Sequence, residues 1–112
     1  MEATPRLKAG IFARALVRRA EVAGAYAVIE RKGSEEAGAI ILTIATLDGW
    51  YIVLSQARDG QGRLVWIQPL GERVEEGKVD DWCEKQAKID PDLWVVDIAD
   101  RQGRTFVDEP IV

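Results

Sequence analysis

The stretch AIILTIATL-DG-WYIVLSQA, residues 39–57, constrains the fold more than any other part of the chain. Asp-Gly between two β-branched and aromatic runs is the preferred two-residue hairpin turn, because both turn positions need positive φ. Such a turn pairs Leu47 with Trp50, Ala45 with Ile52 and Thr43 with Leu54. One face of the hairpin then holds Ile41, Leu47, Trp50, Ile52 and Leu54. The other holds Ile40, Leu42, Ile44, Tyr51 and Val53. Both faces are apolar, so both must be covered.

What remains to cover them is limited. IFARALVRRAEVAG, residues 11–24, reads as a helix with Ile11, Phe12, Ala15, Leu16, Val22 and Ala23 on one arc and Gly24 as its C-cap. AYAVIER, residues 25–31, reads as a strand, closed by the loop KGSEEAG. RLVWIQPLG continues the hairpin into a further strand. EEGKVDDWCEKQAKI, residues 75–89, reads as a second helix with Val79, Trp82, Cys83, Gln86 and Ile89 inward, ended by Asp90-Pro91. LWVVDIA and RTFV complete the pattern.

The fold class is therefore α+β: an antiparallel sheet of four to six strands with two helices. The order is α-β-β-β-β-α-β with a short terminal strand. The 112 residues form a single domain, 1–112. Two helices of about four turns cover one face of such a sheet, and a bare second face exceeds the apolar patch a monomer tolerates. A homodimer through the sheet is the expected remedy, and a strongly curled sheet is the competing one.

Two near-copies, DGQGR (59–63) and DRQGR (100–104), read as the same exposed hairpin turn used twice. Asp caps the backbone, Gly takes the left-handed position, and no ligand lies between them.

Absences narrow the chemistry. The chain has no His and no Asn, which removes the commonest general base, the commonest metal ligand and any glycosylation acceptor. The single Cys83 excludes an internal disulfide and fits a reducing compartment. MEATPRLKAG lacks the pattern of a signal peptide, and the longest apolar run, 37–47, is too short to span a bilayer. A cytoplasmic protein with no membrane association is expected.

No residue stands out as catalytic, and no metal or cofactor is expected. Cys83, on the inward stripe of a helix without a His to activate it, reads as core. Asp90-x-Asp92 has oxygen ligands for a hard cation, but Asp on either side of Pro91 is ordinary turn chemistry. Arg14, Arg18 and Arg19, extended by Arg6 and Lys8, make the first helix basic. The net charge is −4, which disfavours nucleic acid and favours internal neutralisation. Of the four tryptophans, Trp50 beside the turn and Trp66 on an edge strand are the surface candidates. The weak binding candidates are thus Arg14, Arg18, Arg19, Trp50, Trp66 and Asp92.

RLKAGIFARALVRRAEVAGAYAVIERKGSEEAGAIILTI and IDPDLWVVDIADRQGRTF resemble the two hallmark segments of a small bacterial family catalogued as domain of unknown function 1491. Leu7-Lys8 followed by Gly10-Ile11, the pair Ala37-Gly38, and the run Asp90 to Trp94 are the most specific parts. The resemblance implies a chain of this length and no assigned activity. The reading favours a non-enzymatic protein-interaction domain, a homodimer with an unidentified protein partner. The alternatives are a small enzyme or ligand-binding protein using carboxylates and arginines, and a nucleic-acid-associated protein using the basic helix.

Overall fold

The computed structural model describes residues 7–112. Helix α1 (Ala9–Val22) leads into β1 (Tyr26–Arg31), β2 (Ile40–Ala45), β3 (Trp50–Arg58), β4 (Leu64–Ile67) and the two-residue β5 (Val74–Glu75). Helix α2 (Glu76–Ile89) and β6 (Trp94–Ala99) follow. The α+β class and the order of the main elements are as expected, with two exceptions, the first being the short β5 ahead of α2. RTFV is not a strand; the terminal segment only forms an isolated bridge between Ile111 and Trp66.

The sheet is not a simple meander. Its strand order is β1-β6-β2-β3-β4, with β5 also on β3. Strand β6 inserts between β1 and β2, antiparallel to the first and parallel to the second, with Ile40 beside Trp94 and Ala45 beside Ala99. The sheet is thus mixed, mostly antiparallel with one parallel pair. The reason is apolarity: LWVVDIA buries both of its faces, and only an interior position offers that.

The β2–β3 hairpin has a slipped register. Ala45 pairs with Tyr51, Thr43 with Val53 and Ile41 with Ser55. The turn is a three-residue loop, Leu47 to Gly49, closed by Thr46 N donating to Trp50 O at 3.1 Å. Leu47 (φ 65°) and Gly49 (φ 92°) are the left-handed positions. The Asp48 carboxylate takes the Thr46 hydroxyl at 2.5 Å and the Trp50 amide at 3.3 Å. Because side chains alternate with period two, the slip regroups the faces. Ile40, Leu42, Ile44, Ile52 and Leu54 lie on one side; Ile41, Tyr51 and Val53 lie on the other.

Each face receives one helix, and the helices sit over opposite halves. Helix α1 lies over β1 and β6; α2, on the other side, lies over β2, β3 and β5. The two-helices-on-one-face arrangement is corrected, and with it the argument for a dimer through a bare face. The rest of the α1 side is closed by the C-terminal segment through Phe106 and Val107.

Helix α1 is also rotated from its expected arc. Ala9, Gly10, Ala13, Leu16 and Ala20 are buried, while Ile11 is 51% and Val22 77% exposed. The small residues Ala9, Gly10, Ala13 and Ala20 flank Leu16 and let the helix approach the sheet closely, an advantage that hydrophobicity alone does not register. In α2 the inward side is Val79, Trp82, Cys83 and Ala87, and Ile89 is exposed rather than inward.

Candidate functional site

The three segments that carry the family resemblance meet at one end of the sheet. Gly10 N donates to Glu35 O at 3.0 Å, Ser34 N to Asp92 O at 3.0 Å, and Trp94 Nε1 to Ser34 O at 2.7 Å. Glycine is needed here for closeness: a Cβ on Gly38 would lie 2.0 Å from Asp92 O and 2.8 Å from the Trp94 ring. Arg14 closes the assembly with a bidentate pair to Glu35 (3.0 and 2.7 Å) and stacks on Trp94 at 5.7 Å. These residues build the fold.

The same holds for most other sequence candidates. Arg19 bonds Phe106 O and pairs with Asp108, tying α1 to the C-terminal segment. Arg18 is exposed, and Arg6 and the first residues of MEATPRLKAG lie outside the described residues. Asp92 is exposed; its backbone amide binds the Asp90 carboxylate at 3.1 Å, so Asp90 forms a turn rather than half of a cation site. Trp66 does lie on an edge strand, but its ring is fully buried and its Nε1–H donates to Glu109 at 3.0 Å. Trp50 is half-buried beneath the Arg73 guanidinium, 4.2 Å away.

The repeated cassette is one device built twice. In each copy the Gly amide donates to the Asp carbonyl, and the Asp carboxylate takes the Arg backbone amide and side chain. Gly62 (φ 79°) and Gly103 (φ 68°) occupy the left-handed positions. Only DGQGR is a hairpin tip. DRQGR follows the last strand, and Asp100 is buried rather than exposed, with Arg104 gripping both its oxygens. The two cassettes lie at opposite ends of β3 and do not converge.

The surface with functional geometry is a groove of about 450 Å³ where α2 stops short of β1 and β6. Thr43, Val95 and Asp97 form its floor, and Val79, Asp80, Cys83, Glu84 and Ala87 of α2 form one wall. Tyr51 stands beside them, and Glu30 and Arg31 of β1 form the rim. Thr43, only 2% exposed, donates to the Asp97 carboxylate at 2.5 Å. Burial pushes the Asp97 carboxyl above its usual range against that hydrogen bond, and the Glu30 and Asp80 charges add to the rise. Burial likewise raises Tyr51 and pushes the Cys83 thiol up to about 11, assisted by nearby carboxylates. Arg31 donates to Pro91 O at 3.0 Å; its Nε, shut off from solvent, has no partner.

None of these groove residues was a binding candidate from sequence, yet part of the signal was legible. Thr43 and Asp97 are polar residues inside strand runs that are otherwise apolar on both faces, where a polar group needs a partner.

The groove sets charged groups around apolar ones. Four carboxylates face one guanidinium around apolar side chains, and the thiol and phenol are held protonated at neutral pH. Among the described residues no three acidic or thiol side chains converge as a metal site, and no helix is long and apolar enough to cross a membrane. Neither alternative from sequence gains support, since Arg14 and Arg19 are engaged within the fold and Cys83 is deactivated.

The DUF1491 sequence model, described as a protein of unknown function, matches residues 7–108. A crystal structure of a DUF1491 family protein from Caulobacter crescentus CB15 is 41% identical, with a TM-score of 0.89 over 96% of this chain and 100% of that one. The solution structure of protein Atu0922 from A. tumefaciens is 30% identical, with a TM-score of 0.79 over 94% and 95%. Among curated proteins none matches. Sequence and fold agree: the chain belongs to the DUF1491 family, to which no activity is assigned.

Proposed function

We propose that the protein is a non-enzymatic protein-interaction domain of the bacterial cytoplasm, and that it docks a partner in the groove between α2 and β1. One observation carries this reading: α2 packs mainly on β2, β3 and β5, and a groove of about 450 Å³ opens beside it toward β1 and β6. The groove combines the partly exposed Tyr51, Cys83 and Ala87 with Glu30, Asp80, Glu84 and Asp97. Such a surface suits a peptide segment that presents Lys or Arg among apolar side chains. The deactivated Cys83 and the absence of His favour binding over catalysis. Self-association as a homodimer falls within the same reading.

Peptides selected by display on the purified protein test the proposal. The winners should be basic and apolar, bind more weakly as salt rises, and lose at least about tenfold in affinity to Ala87→Arg, which fills the groove with a like charge. Winners that bind Ala87→Arg as tightly as the parent would remove the groove from consideration.

A further inference from the structure

We infer that β1 pairs with β1 of a second copy, joining two sheets into one across a two-fold axis. The inference rests on reading this flank as the docking surface, but a separate observation carries it: the two edges of the sheet are unlike. At the β4 edge the chain's own C-terminus lies alongside, with Trp66 N donating to Pro110 O at 2.9 Å and Val112 N to Trp66 O at 2.8 Å. At the other edge β1 has only β6 beside it among the described residues.

Open edges are ordinarily protected by charge, proline or a bulge. Tyr26-Ala27-Val28-Ile29 has no charge and no proline, and the β1 bulge falls only after it, between Ile29 and Arg31. Tyr26 is 68% and Val28 38% exposed, and their alternate positions put them on one face of the sheet, the side of the groove.

Symmetry selects the occupant. Antiparallel pairing about a two-fold axis normal to the sheet at Ala27 sets Tyr26 of each copy opposite Val28 of the other. Aromatic against β-branched is a cross-strand pair that sheets favour. Ala27 meets its own copy, with its small side chain buried on the α1 side. The exposed pair is its own complement when reversed, which only a second copy provides by construction. The paired copy also extends the groove floor beyond β1, so each groove gains a wall from the other copy.

The contact is short, and strand pairing over about five residues falls well below the roughly 800 Å² per partner of a standard interface. The dimer therefore dissociates on dilution. Each chain carries −4, so added salt strengthens this association, opposite to its effect on a basic peptide in the groove.

Sedimentation from micromolar to millimolar protein tests the pairing, with Val28→Lys and Tyr26→Lys as separate variants. The parent mass should climb from 12.4 kDa toward twice that value, more steeply in salt, while both variants stay monomeric with unchanged far-UV circular dichroism and a cooperative melt. Amide exchange in β1 of the unaltered chain should slow as concentration rises, a readout that needs no variant to fold. A parent that stays monomeric throughout, or a dimer that survives either folded variant, overturns the inference. A monomer that still binds the selected peptides would do so while leaving the groove reading intact.

Discussion

Gly38 offers the sharpest test of how the hallmark segments hold the fold. Gly38→Ala places a methyl group 2.0 Å from Asp92 O and 2.8 Å from the Trp94 ring. Neither neighbour yields easily. Asp92 O already accepts Ser34 N, and Trp94 is fully buried with its Nε1–H bonded to Ser34 O. A real contact needs more than 3 Å, so backbone must move by about 1 Å at the junction of the β1–β2 loop and β6. Overpacking of this kind costs about 3 kcal/mol, the upper part of its usual range. With about 2.1 cal/mol/K of unfolding entropy per residue, that lowers the melting temperature of a 112-residue chain by about 13 °C. Gly77→Ala is the control, because its added methyl meets nothing within 4 Å and it lies in the first turn of α2. It should gain about 0.5 kcal/mol from helix propensity. Calorimetry on both variants gives opposite signs for one chemical change. A Gly38→Ala melting point within a few degrees of the parent would show that the junction is loose and that glycine there is incidental.

Further outcomes follow from other groups. The folded-state carboxyl of Asp97 is raised, so its contribution is fullest below the unfolded value near 3.9 and fades as pH rises through the folded one. Asp97→Asn should therefore flatten the stability profile between the unfolded and folded values and melt slightly higher at neutrality, as scanning calorimetry across pH would reveal. Cys83 should react with a thiol reagent at neutral pH about 100-fold more slowly than in denatured protein, given its suppressed thiolate, and a rate near the denatured one would contradict its burial. Asp100→Ala should cost about 2 kcal/mol, because charge-assisted bonds to Arg104 are lost at a buried position. Asp59→Ala, the same change in the more exposed cassette, should cost clearly less in chemical denaturation.

Local chemistry was legible from the amino-acid order wherever it depended on neighbours in sequence. Both helices, the strands other than β5, the caps within DGQGR and DRQGR, and the stop at Asp90-Pro91 are decided within a few residues. The groove was not legible, because Thr43, Asp97, Tyr51 and Glu30 come from four strands whose adjacency depends on β6 entering between β1 and β2. Asp48-Gly49 reads as a two-residue turn, whereas the three-residue loop that forms is braced by Asp48 bonds to Thr46 and Trp50. Tertiary contacts add to this, with Glu76 N at the start of α2 reaching Gly49 O and β6 holding β2 from its other side. The one-residue slip then decides which apolar residues share a face. The apolar demand of residues 39–57 on two sides is written in the sequence. Tertiary structure alone decided how it was met, with α1 and the C-terminal segment on one face and α2 over half of the other, because covering a face depends on which surfaces arrive together in space.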